Sequence, residues 1–383
     1  MRHRTMKRIC IITTVEVTLT SFVIPAARVM KENGWNVTLA CNMSDKFLAK
    51  YGKEFTCIYV PMSRGISVKD LFTMPFYFKR LFKKEHYDIV QYATPNASLY
   101  ASLGAKWAGV KKRLYCQWGI RYVGFSGFQR KLFKTIEKFI CNNSTHVRPA
   151  SWKNLEFAVV EGLYKREKAA AIGDGGTIGI DMKQFDISLK QRNKELVLEQ
   201  YSQLKNKIVF CFVGRLNRDK GVFELLEAFQ RLCVEREDIA LLQIGDMEGK
   251  LPPHLQDIRK YPNVILTGWT NEVPKYISAS DVLVHPSYRE GFSMVIQQAM
   301  AMEIPVVTTD IPGPSEVIEP NVSGILAKPR DVETLYQCMK WMVDHPQERL
   351  EMGMAGRKRC EEKFNRERML RLTLEDRENI LYS

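Results

Sequence analysis

No C-x-x-C occurs anywhere in the 383 residues: nine cysteines stand singly, at 10, 41, 57, 116, 141, 211, 233, 338 and 360. An odd and scattered set argues against a disulfide framework and against a zinc site. Most sit in apolar runs such as RICII and VFCFV and read as small core residues in a reducing compartment. No apolar run reaches the length of a transmembrane helix. The opening MRHRTMKRICIITTVEV is basic then apolar. Its apolar run is short, meets Glu16 and shows no small-residue cleavage site, so a first strand is expected there rather than a signal peptide. Acidic side chains are scarce in the front half. Through Lys183 there are 30 Lys and Arg against 13 Asp and Glu, a balance of +17, while the remaining 27 and 30 give −3. The asymmetry points to an anionic partner for the first half.

What is present is alternation. KRICIITTV reads as a first strand, VEVTLTS as a loop, and an amphipathic helix then ends near Asn33-Gly34. WNVTLAC and FTCIYVP are strands, followed by a helix from about Val68 to Tyr87 that holds FYFKRLFKK. Strand DIVQYAT, helix NASLYASLGAKWAG, strand KKRLYCQW and a basic helix at 127–142 continue the pattern. THVRPAS, a further helix and a strand in KAAAIGDGG close a doubly wound first domain, 1–183. GDGGTIGID is glycine-rich, but no helical pattern follows it, so it is not a dinucleotide fingerprint. A polar segment, 184–206, is expected as a linker with some helix. KIVFCFVGRL restarts the alternation, and a second α/β domain is expected over 207–365, with strands IALLQIGD and NVILTGW. A last helix occupies 366–383. Strand, helix and turn signals thus give an α/β fold of two similar halves.

Asp281 to Ile318, DVLVHPSYREGFSMVIQQAMAMEIPVVTTDIPGPSEVI, carries the most chemistry. A buried strand ends at Pro286, and a polar turn holds Arg289, Glu290 and Gly291. Apolar residues then recur with helical spacing at Phe292, Val295, Ile296, Ala299 and Met300, until Pro305 and a second strand. Ligands of a parallel sheet sit at the carboxyl ends of strands. Gly291 lets a backbone approach, and the free N–H groups of Ser293, Met294 and Val295 at the helix start suit a phosphate. Glu290 beside them can accept hydrogen bonds from sugar hydroxyls; the plain reading is a solvated turn residue. Arg215 and Lys220, in VGRLNRDKG after Gly214, could clamp a diphosphate, Arg as a fork and Lys as a point charge.

These strings resemble the donor-site signature of retaining, nucleotide-sugar-dependent glycosyltransferases of the GT-B type, family four. HPSYREGFSMVIQQAMAMEIPVVTTDIPGPSEVI and the Gly-Arg-x4-Lys-Gly block of VGRLNRDKG carry the resemblance. It implies two Rossmann-like domains facing each other across a cleft, with the C-terminal helix crossing back to the first. Donor would lie on the second domain and acceptor on the first. Catalytic roles fall to Glu290, Arg215 and Lys220. Donor contacts fall to Gly214, Gly268, Trp269, Gly291, Phe292, Ser293, Met294 and Gln298. The family pattern is Glu-x7-Glu, and Gln298 stands where the second Glu would address the ribose. Cleft positions on the acceptor side are Thr14, Trp118 and Arg121. Trp118 stands where many relatives have His or Arg, and is open to two readings, packing in the wall or stacking on a sugar. The first loop, Thr13 to Ser21, also lacks the glycine pair often found there.

The resemblance further implies transfer of a hexose or N-acetylhexosamine from a nucleotide diphosphate sugar, a UDP-sugar foremost. The acceptor would be a glycan or lipid-linked saccharide of surface polysaccharide synthesis, and anomeric configuration would be retained. No cofactor and no metal are expected, the donor being a co-substrate. The alternative is a catalytically weakened GT-B subunit supporting a partner enzyme. The chain is expected in the cytoplasm, with peripheral contact at the inner membrane face through KRLFKK, KKR and QRKLFKTIEK, whose cations are interleaved with apolar residues. Nucleic acid is not expected as a partner: the bases spread over several elements and no recognition motif appears.

Overall fold

The computed structural model describes residues 6–63, 65 and 67–383, with backbone alone at 258 and 259. The basic opening, residues 1–5, lies outside the described residues. The chain divides into two units, residues 1–178 with 367–383, and residues 179–366.

Unit 1 holds strands β1 (Lys7–Val15), β2 (Trp35–Asn42), β3 (Thr56–Tyr59), β4 (Ile89–Tyr92), β5 (Lys112–Gln117) and β6 (His146–Pro149). They pair in the order β3-β2-β1-β4-β5-β6, all parallel. Unit 2 holds β7 (Ile208–Val213), β8 (Ile239–Ile244), β9 (Val264–Gly268), β10 (Val282–His285), β11 (Val306–Thr309) and β12 (Gly324–Ala327). Their order is β12-β11-β10-β7-β8-β9, again all parallel. Each sheet therefore winds outward both ways from its first strand, and the direction reverses between β1 and β4 and between β7 and β10. At such a switch point the connecting helices leave to opposite faces and open a crevice at the strands' carboxyl ends. The strands read as continuous apolar runs because both faces are covered: Phe210, Cys211, Phe212, Leu241, Leu242, Val282, Leu283 and Val284 are all buried.

Several elements differ from the sequence expectation. VEVTLTS is not a loop: helix Glu16–Phe22 begins directly after β1, and Leu19 is fully buried on it. Val and Thr have modest helix propensity, but burying Leu19 outweighs that. The strand expected in KAAAIGDGG is a single parallel bridge between Val147 and Ala169. Past it the backbone turns through Gly173, Gly175, Gly176 and Gly179, all at positive φ, which no strand can follow. Residues 184–206 lie within unit 2 and carry helix Lys190–Gln200, with Val197 buried. Helix Arg366–Tyr382 places Glu367–Ser383 in unit 1, where Arg148 meets Asp376 at 2.7 Å and Arg377 Nε donates to Gln91 Oε1 at 2.9 Å. No helix among the described residues is long and apolar enough to cross a membrane.

Candidate functional site

The carboxyl ends of β7 and β10 flank the switch point of unit 2, and two short turns meet there. After β7, Asn217 caps the turn Arg218–Lys220 by accepting from the Lys220 amide at 3.2 Å. Gly221 follows at φ +69, and a Cβ there would run into the carbonyl oxygen of Pro286. Only glycine lets these two backbones touch. The Tyr288 amide donates to Asp219 O at 3.0 Å, and Arg289 meets the Asp219 carboxylate at 3.0 Å. These contacts bring together side chains 70 residues apart: the Lys220 ammonium sits on the Glu290 carboxylate.

Glu290 has further partners. Ser287 Oγ donates to its Oε1 at 3.1 Å, and His285 Nε2 lies 3.5 Å from that oxygen. Burial raises the carboxyl's proton affinity, but the Lys220 ammonium, with His285 and Ser287, overcomes this and holds it below the ordinary carboxylate value. Glu290 is therefore charged at neutral pH. His285 is buried, and burial is the main reason its pKa is pushed down to about 4. Its Nε2 lies 3.0 Å from Ser293 Oγ, which also accepts from the Ile296 amide at 3.4 Å and so caps helix Met294–Ala301. His285 Nδ1 is buried with no protein partner among the described residues. An unpaired buried N–H costs more than an unpaired lone pair, so the proton belongs on Nε2, donated to Ser293 Oγ.

Where the remaining expected residues stand is mixed. Met294, Val295 and Gln298 are the partly exposed positions along the helix start, while Ile296, Gln297, Ala299 and Met300 are buried. The Gln298 amide has no protein partner among the described residues. Phe292 turns its ring inward, 5.3 Å from Phe364. Arg215 does not join Lys220: its guanidinium pairs with Glu248 at 3.0 Å, and Asn217 Nδ2 holds the same carboxylate at 2.9 Å. Gly214, at φ +145, follows β7, and Gly268 ends β9 beside Gly245, whose amide donates to Gly268 O at 3.0 Å. The exposed Trp269 has its amide fixed by Asp246 at 2.9 Å. These groups share the carboxyl edge of the sheet.

In unit 1 the Thr14 amide donates to Thr94 Oγ1 at 2.9 Å, and the two hydroxyls lie 2.7 Å apart, tying the ends of β1 and β4. Trp118 packs on Phe22, centroids 5.6 Å apart. The Arg121 guanidinium lies over Phe133 at 4.5 Å. Two functional candidates escape sequence reading. His285 is masked by its place inside an apolar strand, and Glu248 by standing 33 residues beyond the arginine it holds.

The His285 environment has a consequence for stability. Its folded pKa, about 4, lies below the ordinary value of 6.5. Between these values the unfolded chain binds a proton that the folded chain refuses, so stability is fully present above 6.5 and falls as pH drops toward 4. The loss should approach about 3 kcal/mol. Melting at stepped pH should show that slope, and His285→Asn should reduce it, the half-buried His146, also pushed down to about 4 mainly by burial, supplying a remainder over the same range. An unchanged slope in the variant would assign the acid sensitivity elsewhere.

Residues 8–150, in unit 1, match the family model described as glycosyl transferase 4-like, and residues 193–359, in unit 2, that of glycosyl transferases group 1. The capsular polysaccharide biosynthesis glycosyltransferase CapM of Staphylococcus aureus is 28% identical over 327 residues, 84% of each chain. A UDP-Gal:alpha-D-GlcNAc-diphosphoundecaprenol alpha-1,3-galactosyltransferase of Escherichia coli is 26% identical over 321 residues, 81% of this chain and 80% of that one. Among solved structures, Anabaena HepE in complex with UDP superposes with a TM-score of 0.76 at 16% identity, covering 98% of this chain and 100% of that one. Sucrose-phosphate synthase of Thermosynechococcus elongatus gives 0.78 at 19% identity, with the same coverage, and at that distance the likeness is one of fold. One family model on each of two doubly wound sheets identifies the chain: it belongs to the GT-B glycosyltransferases.

Proposed function

We propose that this glycosyltransferase moves a hexose or N-acetylhexosamine from a UDP-sugar to a glycan or lipid-linked saccharide, with retention of configuration, in surface polysaccharide synthesis. The observation that carries the reading is the Lys220–Glu290 pair at the switch point of unit 2, beside the start of helix Met294–Ala301. A charged carboxylate there can accept sugar hydroxyl protons, while the ammonium and helix-start amides oppose the charge of a departing diphosphate. In this reading Lys220 exchanges its contact with Glu290 for the diphosphate, and Arg215 can leave Glu248, both being exposed. These groups supply the stabilisation themselves, so no metal is assigned. The relatives support the donor and acceptor classes by their names: one uses UDP-Gal on a diphosphoundecaprenol-linked sugar, and the neighbour HepE was solved with UDP-glucose.

Incubation with UDP-glucose, UDP-galactose and their N-acetylated counterparts, with cell-envelope lipid extract as acceptor, should release UDP from one of them. Chelation with EDTA should leave the rate unchanged, and proton NMR of the product should show the donor's anomeric configuration. Inversion would remove retention, and no release from any donor would favour the supporting-subunit reading.

Gln298 gives a second, finer test. An amide in place of the family's carboxylate loses a charge-assisted bond to the ribose, at a cost of about 1 kcal/mol. Gln298→Glu should tighten UDP severalfold in titration calorimetry, and Gln298→Ala should weaken it. If neither moves the affinity, Gln298 does not touch the ribose.

A further inference from the structure

The last helix, Arg366–Tyr382, closes over a cavity of about 30 Å³ in unit 1. That is room for a chloride-sized particle or one or two waters, not for a nucleotide or a sugar. Ile11 and Met30 stand on its apolar side, and Gln91, Arg148, Thr177 and Arg377 on its polar side. Ile11, Met30, Gln91 and Arg377 are all buried. Thr177 arrives on the glycine-rich string GDGGTIGID. Gly175 and Gly176, at φ +101 and +106, bend the backbone before it. The Gly176 amide donates to Ala150 O at 2.7 Å, which anchors this loop beside the end of β6.

Charge is not balanced at the cavity. Arg148 Nε donates to Asp376 Oδ1 at 2.7 Å, and Arg377 Nη1 donates to Oδ2 of the same carboxylate. The two arginine side chains are 12% and 4% exposed. One carboxylate between two guanidinium groups leaves a positive charge unanswered, and the neighbouring acids have cations of their own. Asp174 meets Arg368 at 2.9 Å, and Glu378 meets Lys7 at 2.5 Å. A buried charge without a counter-charge is costly. Donors are in surplus as well. Arg377 Nε is spent on Gln91 Oε1 at 2.9 Å, and its Nη2 has only the weak acceptor Cys116 Sγ, 3.6 Å away. Arg148 Nη1 donates to Val147 O at 3.0 Å, while its Nη2 has no acceptor among the described residues. Thr177 Oγ1 is buried with no partner among the described residues.

We infer that this cavity binds one chloride-sized monovalent anion, held by Arg148, Arg377 and the Thr177 hydroxyl, and that the anion fastens the last helix to the sheet. It answers the remaining charge and accepts charge-assisted bonds from donors that otherwise lack them. A water would bring no charge and two hydrogens of its own, and Gln91 Oε1 on the wall already receives Arg377 Nε. The inference rests on unit 1 alone and does not depend on the donor site.

The test uses the full chain in mixtures of sodium chloride and sodium gluconate at a constant ionic strength of about 0.15 M. Chloride should slow amide exchange across helix Arg366–Tyr382 in a saturable way, because a ligand protects what its binding stabilises. Helix Val222–Glu235 of unit 2 should be unaffected. Crystals grown from sodium bromide should show an anomalous peak in the cavity between Arg148 and Arg377. Thr177→Val keeps the shape, removes the hydroxyl, and should weaken the apparent chloride affinity by about tenfold or more. Arg377→Met leaves Arg148 matched by Asp376 and should abolish the chloride dependence; should it fail to fold, Thr177→Val decides alone. Equal exchange in chloride and gluconate, equal slowing in the unit 2 helix, or no bromide peak in the cavity would overturn the inference. A peak without chloride-dependent protection would mark an adventitious ion only and overturn it too, as would an unchanged affinity in Thr177→Val.

Discussion

Glu290→Ala is expected to lower turnover by about a hundredfold or more, about 2.7 kcal/mol of transition-state stabilisation. The carboxylate is charged, held by Lys220 and Ser287, and close to a helix start, so it can bind sugar hydroxyls without first losing a proton. Glu290→Gln keeps the volume and one acceptor oxygen but loses the charge. Its defect should fall between wild type and Ala, because hydrogen bonds to a charged acceptor are roughly twice as strong as neutral ones. Steady-state kinetics on folded variants, checked by melting, decides it. Near-normal turnover in Glu290→Ala would remove this residue from the reaction.

Lys220→Met should cost as much or more, about a hundredfold to a thousandfold in turnover, the range for losing one group that stabilises developing charge. It carries a second signature. Lys220 is the main influence that holds the Glu290 carboxyl low against burial, so without it burial drives that carboxyl upward. The acid limb of the pH–rate profile should therefore move to higher pH in Lys220→Met, and Lys220→Arg should restore much of the wild-type profile. A variant slow at every pH with an unmoved acid limb would mean that Lys220 acts without Glu290. Lys220→Met also leaves a buried carboxylate without its cation, which lowers stability, so its rates are compared below the melting temperature of the variant.

The architecture was legible because parallel strands buried on both faces announce themselves as apolar runs, and because glycine and proline punctuate them. Pro286 and Pro305 bound their elements as expected. What hid was whatever depended on distance in sequence. The contact of Lys220 with Glu290 needs the switch-point topology, and Gly221 against Pro286 is what allows it. Arg215 looked like a partner of Lys220 because it stands five residues away, yet Glu248 claims it from a loop after β8. Phe292 lies inside the expected donor turn but is drawn inward by Phe364, since burying an aromatic ring outweighs leaving it against water. Helix Glu16–Phe22 escapes the sequence, where VEVTLTS reads as a loop, because local propensity is weak: Val and Thr do not announce a helix, and the burial of Leu19 decides it.

The proposed function divides the labour at one site: Lys220 and the helix start would bind the diphosphate, and Glu290 the sugar. Titration calorimetry of Glu290→Gln with UDP, and with whichever UDP-sugar the release assay selects, separates the two. UDP affinity should stay within about twofold of wild type while the advantage of the intact UDP-sugar over UDP is lost. Equal weakening of both ligands, or an unchanged preference for the UDP-sugar, would contradict it.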